Sequence, residues 1–486
     1  MDVDELPGEA LERRKRQLGL ALGPVLAGGL ALLARDSASP ALVFLMVLCV
    51  SWWLTEALPM AAVALLAAVG AVLTGLATPK QAFGSFGTPL LFLFVGSFFV
   101  AEAMHVHGLG ERVGRAMVRK ARGRLSLLIV LALTAFVLSM MMSNAAATAI
   151  LLPIALSVAP PREAIGRDRF GAALVLAVAW GASVGGLGTP VGTPPNLIGI
   201  AELDKRGVPL GFVEWMAVGV PMGLVMMVGL CAVLAWMFGV RRGQPLPPMP
   251  VEQVRPWKAG ERAVVIAIGT AIVGWLAPTV LGLVAPDSTA TRWAEGHLTE
   301  EVVALLAGCL LFVLPGHDPA HPHTRRPALT WTEATRIEWG VILLFGGGIL
   351  LGDLARTTGL AAEWGRAFVE ATGASSTWGI TALVTAVAIA LSEATSNTAT
   401  ATLMAPLAGA LAAAAGGSPI PAVLGATMGA SFGFMMPIST APNALAYATG
   451  RVSIGEMVRA GIVFDVIGFL LILAALRITC PLLGWA

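Results

Sequence analysis

Charge is what this sequence is shortest of. Asp, Glu, Lys and Arg make up 12% of its 486 residues, against 57% hydrophobic residues, and mean hydropathy is +0.81. A soluble domain carries about 25% charged residues. The composition therefore excludes a water-facing surface around most of the chain and points to a polytopic membrane protein. Cysteine is scarce as well. Cys49, Cys231, Cys309 and Cys480 fall in or at the ends of apolar runs and share no metal-ligand spacing, which argues against a disulfide framework. Basic patches interleaved with aromatics are missing, and with them the case for a nucleic-acid partner.

The apolar sequence that remains divides into runs of about a bilayer's length. They fall at about 18–34, 41–58, 60–77, 88–106, 171–188, 212–239, 263–284, 300–315, 338–355, 420–436 and 460–480, eleven candidate spans. Glu12-Arg-Arg-Lys-Arg-Gln17 ahead of the first resembles a signal peptide, with Ser37-Ala38-Ser39 as a cleavage site. That run is long enough to span and ten more follow, so a retained first helix is expected. Two further stretches, 125–155 and 376–412, are too long for one span and polar at their centres. Both are expected to form re-entrant helix–turn–helix hairpins, which protein or a water-filled cavity must surround. Cations concentrate at 13–16, 112–124, 241–262, 325–336 and 451–459, and thin out between. With both hairpins entering and leaving on one side, the positive-inside rule predicts a multi-pass protein of the cell (inner) membrane with its N-terminus in the cytoplasm and its C-terminus outside.

The halves repeat. Phe94 and Gly96 return as Phe345 and Gly347, Gly108-Leu109 as Gly359-Leu360, and Gly114-Arg115 as Gly365-Arg366, always 251 positions on. An odd number of spans between copies makes this an inverted repeat. The expected division is an N-terminal segment with the first helix (1–40), repeat 1 (41–240), a cytoplasmic linker (241–262) and repeat 2 (263–486).

Within each repeat lie two polar patches. Ser139-Met-Met-Met-Ser143-Asn144-Ala145 is answered by Ser392-Glu-Ala-Thr-Ser-Asn-Thr398, both S-x-x-x-S-N. Gly192-Thr193-Pro194-Pro195-Asn196 is answered by Ser439-Thr440-Ala441-Pro442-Asn443. Paired, helix-breaking polar patches in apolar sequence point to the midplane site of a secondary transporter. Hydroxyls, amide oxygens and freed carbonyls are hard ligands suited to Na⁺, while amide and hydroxyl donors at helix starts suit an anion. No Lys, Arg or His lies in any patch, so an anion's charge has to be met by bound cations and helix ends.

Other readings compete. Small residues alone could serve close helix packing, but that does not explain an Asn recurring beside proline-broken segments. Gly181-Ala-Ser183-Val-Gly185 and Gly429-Ala-Ser431-Phe-Gly433 match the G-x-S-x-G of serine hydrolases. That motif needs a strand-to-helix elbow with a His and an acid, whereas both copies sit in continuous apolar sequence and read as helix packing. His317, His321 and His323 hint at metal, yet their proline-rich loop reads as solvated. Glu393, Asp353 and Asp465 are charges in or near apolar runs, fit to be ion or proton ligands or to pair within the protein.

Over nearly its whole length the chain resembles the divalent anion/sodium symporters, which include sodium-coupled dicarboxylate, citrate and sulfate carriers. GGLGTPVGTPPN, SEATSNTATATL and Ser431–Leu445 carry the likeness. The resemblance implies an all-α, eleven-helix homodimer with scaffold and transport domains, elevator-type alternating access, and at least two co-transported Na⁺. It implies that Ser139, Ser143, Asn144 and Gly192 hold one Na⁺. Ser392, Thr395, Asn397 and Ser439 would hold a second, partly through main-chain oxygens. Asn144, Asn397, Thr398 and Thr440 would face substrate carboxylates, with Thr193 nearby. The chain departs at Ala145 and Ala441, where relatives carry hydroxyl or proline. The expected activity is Na⁺-coupled uptake of a C4-dicarboxylate such as succinate, malate or fumarate. A sodium-independent exchanger or a citrate or sulfate carrier is the alternative within the class; an intramembrane hydrolase is the alternative outside it.

Overall fold

A computed structural model describes residues 7–160, 169–246, 256–317, 324–372 and 376–485. The chain opens with α1 (Pro7–Leu33), α2 (Pro40–Thr55), α3 (Met60–Leu73) and the short α4 (Pro79–Gly84). Next come α5 (Pro89–Val106), α6 (Leu109–Val118), α7 (Arg124–Ser139), α8 (Asn144–Ser157) and α9 (Phe170–Gly186). They lead into α10 (Pro194–Asp204), α11 (Phe212–Phe238), α12 (Ala259–Val284), α13 (Thr289–His297) and α14 (Glu300–Leu310). A small hairpin, β1 (Pro315–His317) with β2 (Arg325–Pro327), precedes α15 (Trp331–Ala334), α16 (Trp339–Thr357) and α17 (Leu360–Thr372). The chain closes with α18 (Thr377–Ala394), α19 (Asn397–Ala414), α20 (Pro419–Gly429), α21 (Ala441–Ala448) and α22 (Ile454–Leu482).

Each of the eleven apolar runs carries a helix, but the helices are unequal. Among the described residues, seven helical stretches are long and apolar enough to cross a membrane: those ending α1, α5, α11, α12, α16, α18 and α22. Others stop short. α14 and α20 have 11 residues each, or about 16 Å at 1.5 Å per residue, half the roughly 30 Å hydrocarbon core. Sequence reading carried the α20 run to 436; helix ends instead at Gly429, and 430–440 continues as turns and extended chain. The reason is that Phe432 and Phe434 are fully buried, so the run stays apolar after the helix stops.

Starts follow local chemistry. Ser39 caps α2 ahead of Pro40, and Thr78 with Gln81 forms a capping box for α4. Ser453 and Glu456 do the same for α22. These side chains satisfy N–H groups that the first turn leaves open.

The element order α5–α11 recurs as α16–α22. Gly108 and Gly359, a repeat pair, both turn the chain in the left-handed region, at φ 68° and 82°. Both hairpins break where the S-x-x-x-S-N clusters lie: α7 gives way to α8 across 140–143, and α18 to α19 across 395–396. In each half the hairpin's first helix packs on the helix that follows the hairpin, α7 on α9 and α18 on α20. A Cβ on Gly181 would sit 2.6 Å from the Ala132 carbonyl, and one on Gly429 2.9 Å from that of Thr385. The G-x-S-x-G glycines are thus contact points between helices. The halves also interlock, with α10 packed on α19 and α20, and α21 on α8 and α9. At the crossing, Trp180 stacks on Phe464, centroids 6.0 Å apart, and meets Phe434 edge-on.

Outside the bundle, Arg326 forks onto Glu333 with two 2.8 Å bonds, and Thr330 donates through N and Oγ1 at 2.9 and 2.8 Å. Burial alone would raise the Glu333 carboxyl; the four donors outweigh it and hold the group at about 2. The expected linker lies partly outside the described residues, as do His321 and His323.

Candidate functional site

Each patch is built by the same trick: the break between two helices turns a serine back onto the asparagine that opens the second helix. Ser139, the last residue of α7, is fully buried and donates to Asn144 Oδ1 at 2.6 Å. Ser392 stands within bonding reach of Asn397 Oδ1 at 2.8 Å and of the Ala430 carbonyl at 2.7 Å. The intervening serines behave as caps. Ser143 accepts from Ala146 N at 3.3 Å; Ser396 is the N-cap of α19 without a side-chain bond.

The proline-broken patches close on these breaks. A Cβ on Gly186 would lie 2.5 Å from Asn144 Oδ1 and 3.1 Å from the Thr193 side chain. One on Gly192 would lie 3.0 Å from the Ser139 carbonyl. Ser139, Asn144, Gly192 and Thr193 are therefore brought together. In the second half Gly433 approaches the Ser392 carbonyl and the Ser439 side chain, each 3.1 Å from its would-be Cβ. Ser392, Asn397 and Ser439 converge there.

The two asparagines that end the broken patches do structural work in parallel. Asn196 Nδ2 donates to the carbonyls of Gly186 and Thr189, both at 2.7 Å. Asn443 Nδ2 donates to those of Gly433 and Met436, at 2.8 and 3.0 Å. All four acceptors lie 247 positions from their counterparts. The amides hold carbonyls that no helix satisfies, as buried backbone requires. Symmetry fails at the other end of the side chain: Asn443 Oδ1 receives the Trp180 indole N–H at 3.0 Å, whereas buried Asn196 Oδ1 finds no donor among the described residues.

Not every expected residue joins in. The Thr395 hydroxyl turns away, bonding the Leu391 carbonyl at 2.9 Å and Thr400 Oγ1 at 2.8 Å. It leaves only main-chain atoms to the cluster. Thr398 is buried, Ala145 and Thr440 are half-buried, and Ala441 is exposed at the start of α21. Thr440 caps that helix, accepting from Asn443 N at 3.3 Å.

Among the described residues the hydrolase reading finds no machinery. Ser183 donates to Ala179 O within α9, and Ser431 is buried inside the bundle. His107 instead meets the Ala328 carbonyl at 2.6 Å.

Charged residues hold the surprises. Lys205 and Arg206, two of the sparse cations between the basic clusters, are mostly buried. Arg206 pairs with Glu202 at 2.7 Å, and Lys205 with Asp353 at 3.2 Å. Glu202 and Lys205 line a cavity of about 20 Å³ between α10, α16 and α19, room for about one water. Only the i,i+4 spacing of Glu202 and Arg206 announced any of this. Glu393 accepts from the amides of Met435 and Met436, at 2.8 and 3.2 Å, in the broken segment after α20.

Comparison with known proteins places the chain in a family. A family profile described as citrate transporter matches residues 50–429. The sodium-dependent dicarboxylate transporter SdcS of Staphylococcus saprophyticus is 30% identical, over 96% of this chain and 91% of its own length. SdcS of Staphylococcus aureus strain USA300 is 29% identical, over 89% and 84%. Among solved structures, the Alcanivorax borkumensis YdaH transporter matches with a TM-score of 0.56 at 15% identity, over 84% of this chain and 88% of that one. That likeness bears on the fold alone.

Proposed function

Because the chain belongs to the citrate transporter family of membrane carriers, we propose that it couples inward Na⁺ movement to uptake of a small dianion, a C4-dicarboxylate such as succinate. It is a transporter and not an enzyme. The observation that carries the reading is the matched pair Ser139–Asn144 and Ser392–Asn397, at 2.6 and 2.8 Å, with no cationic side chain in any patch. A dianion in such a site keeps its charge only if cations bind beside it. The relatives' sodium dependence supports the same reading.

In this proposal Ser139, Ser143, Asn144 and Gly192 hold one Na⁺, and Ser392, Asn397, Ser439 and the main chain of Thr395 hold another. Asn144, Asn397, Thr398 and Thr440 donate to the substrate carboxylates, with Thr193 nearby. Repeat 1 (41–240) and repeat 2 (263–486) contribute one hairpin each, re-entrant from opposite faces, to a moving domain in a homodimer. Calorimetry on the purified carrier tests the ligand assignment. Succinate should bind in Na⁺ buffer and fail to bind when K⁺ replaces Na⁺; equal heats in both would rule out sodium coupling.

A further inference from the structure

We propose that this carrier binds an anionic phospholipid at a basic platform formed where the α6–α7 connection meets the end of α11. Arg119, Lys120 and Arg122 follow α6, and Arg241 and Arg242 follow α11; all five are exposed. The two segments are joined through the main chain. Arg124 N donates to the Gln244 carbonyl at 3.2 Å, and a Cβ on Gly123 would lie 3.1 Å from that oxygen. Glycines fold the second segment back: Gly239 and Gly243 sit at φ 69° and 84°, and Gln244 Oε1 accepts from Arg241 N at 2.9 Å. Cations far apart in sequence thereby share one short stretch of surface.

No acid neutralises them. Neither 119–124 nor 239–246 contains an Asp or Glu. Neighbouring acids are committed elsewhere, Glu111 to Arg115 and Glu456 to Arg169. Among the described residues the five side chains form no ion pair. Like charges held together repel one another and raise the local concentration of anions. The start of α7 is not itself the anchor, because Ser126 Oγ already accepts from the Arg122 and Gly123 amides, at 2.8 and 2.9 Å. The side chains are left to meet the anion, and guanidinium forks suit phosphate oxygens.

The adjoining surface favours a lipid headgroup over a free ion. α11 carries an exposed apolar stripe, Leu224, Val225, Val228 and Trp236, which runs up to the Gly239 turn. Trp236 is 76% exposed, and an indole at the end of a spanning helix settles at headgroup level. Acyl chains lie along the stripe while the phosphate meets the cations. The platform is on the side that charge placement assigns to the cytoplasm, whose leaflet is rich in anionic lipid. Setting orientation needs only an excess of charge on that side. It does not call for two distant segments hydrogen-bonded into an acid-free patch beside an exposed indole.

Quenching of tryptophan fluorescence by brominated lipid tests the site without any transport. The full-length carrier is reconstituted in phosphatidylcholine vesicles containing a small fraction of brominated phosphatidylglycerol or, in parallel, the same fraction of brominated phosphatidylcholine. The anionic lipid should quench more strongly, and the excess should vanish in Trp236→Phe. Arg122→Gln, Arg241→Gln and Arg242→Gln combined should weaken binding of the anionic lipid about a hundredfold, at about fivefold per cation. All four positions are exposed, where substitution leaves stability nearly unchanged. Arg14→Gln with Arg16→Gln removes charge assigned to the same side and should leave the excess intact. Equal quenching by the two lipids overturns the proposal and leaves the platform to free anions. An excess that survives the triple variant, or that falls as far in the Arg14 and Arg16 control, overturns it as well.

Discussion

Asn144 and Asn397 each carry an oxygen and an NH₂ on one planar group, and that duality is what the proposed site exploits. The oxygen takes the serine hydroxyl and is placed for a cation, while the NH₂ serves an anion. Asn→Ala at either position should remove uptake yet leave a folded protein on gel filtration. One charged hydrogen bond is worth about 1.5–3 kcal/mol, roughly ten- to a hundredfold in affinity, and the cation site goes with it. Near-normal uptake would contradict the assignment. The third position of the motif is unequal: Ala145 in the first half, Thr398 in the second. A neutral hydrogen bond is worth about 0.5–1.5 kcal/mol. Ala145→Thr should therefore tighten apparent succinate affinity a few-fold, and Thr398→Ala should weaken it by as much, in competition assays with malate, citrate and sulfate. These residues were legible because polarity in apolar sequence is conspicuous. The bonding of Glu393 to the Met435 and Met436 amides was not, since nothing local links a helix end to a broken segment some forty residues on. Nor did sequence foresee Thr395 turning its hydroxyl into the helix, a choice made by the nearby Thr400.

Helix identity could be read from apolar runs, and helix breaks from Ser, Asn, Gly and Pro within them. Helix ends could not, because hydrophobicity reports burial rather than backbone state; hence the overrun past Gly429. Close packing by glycine makes the α7–α9 contact testable. Gly181→Val forces a side chain against the Ala132 backbone, and overpacking of this kind costs about 1–3 kcal/mol. A lower melting temperature in detergent is the expected result; an unchanged one would mean the helices sit further apart. The Arg326–Glu333 loop supplies a pH test. The Glu333 carboxyl sits at about 2 in the folded protein against about 4.3 unfolded. Its contribution is therefore present above the unfolded value and lost as pH falls from about 4 toward 2. Local proteolysis of this loop should rise over that window, and Glu333→Gln should show the rise already at neutral pH.

At the scale of the molecule, the recurrence of α5–α11 as α16–α22 and the cross-packing of the halves place both patches in one interlocked unit. Orientation in the bilayer and pairing of protomers rest on charge placement and on the family resemblance. The sequence reading reached the family because its motifs are written in many positions at once. It could not reach the substrate, which turns on a few donors such as the one missing at Ala145. Coupling is the central claim, and uptake of labelled succinate into proteoliposomes tests it most directly. With Na⁺ outside and K⁺ inside, succinate should accumulate above its external concentration, and collapsing the Na⁺ gradient should stop it. Equal uptake without Na⁺, driven only by succinate loaded inside, would contradict sodium coupling and make the protein an exchanger.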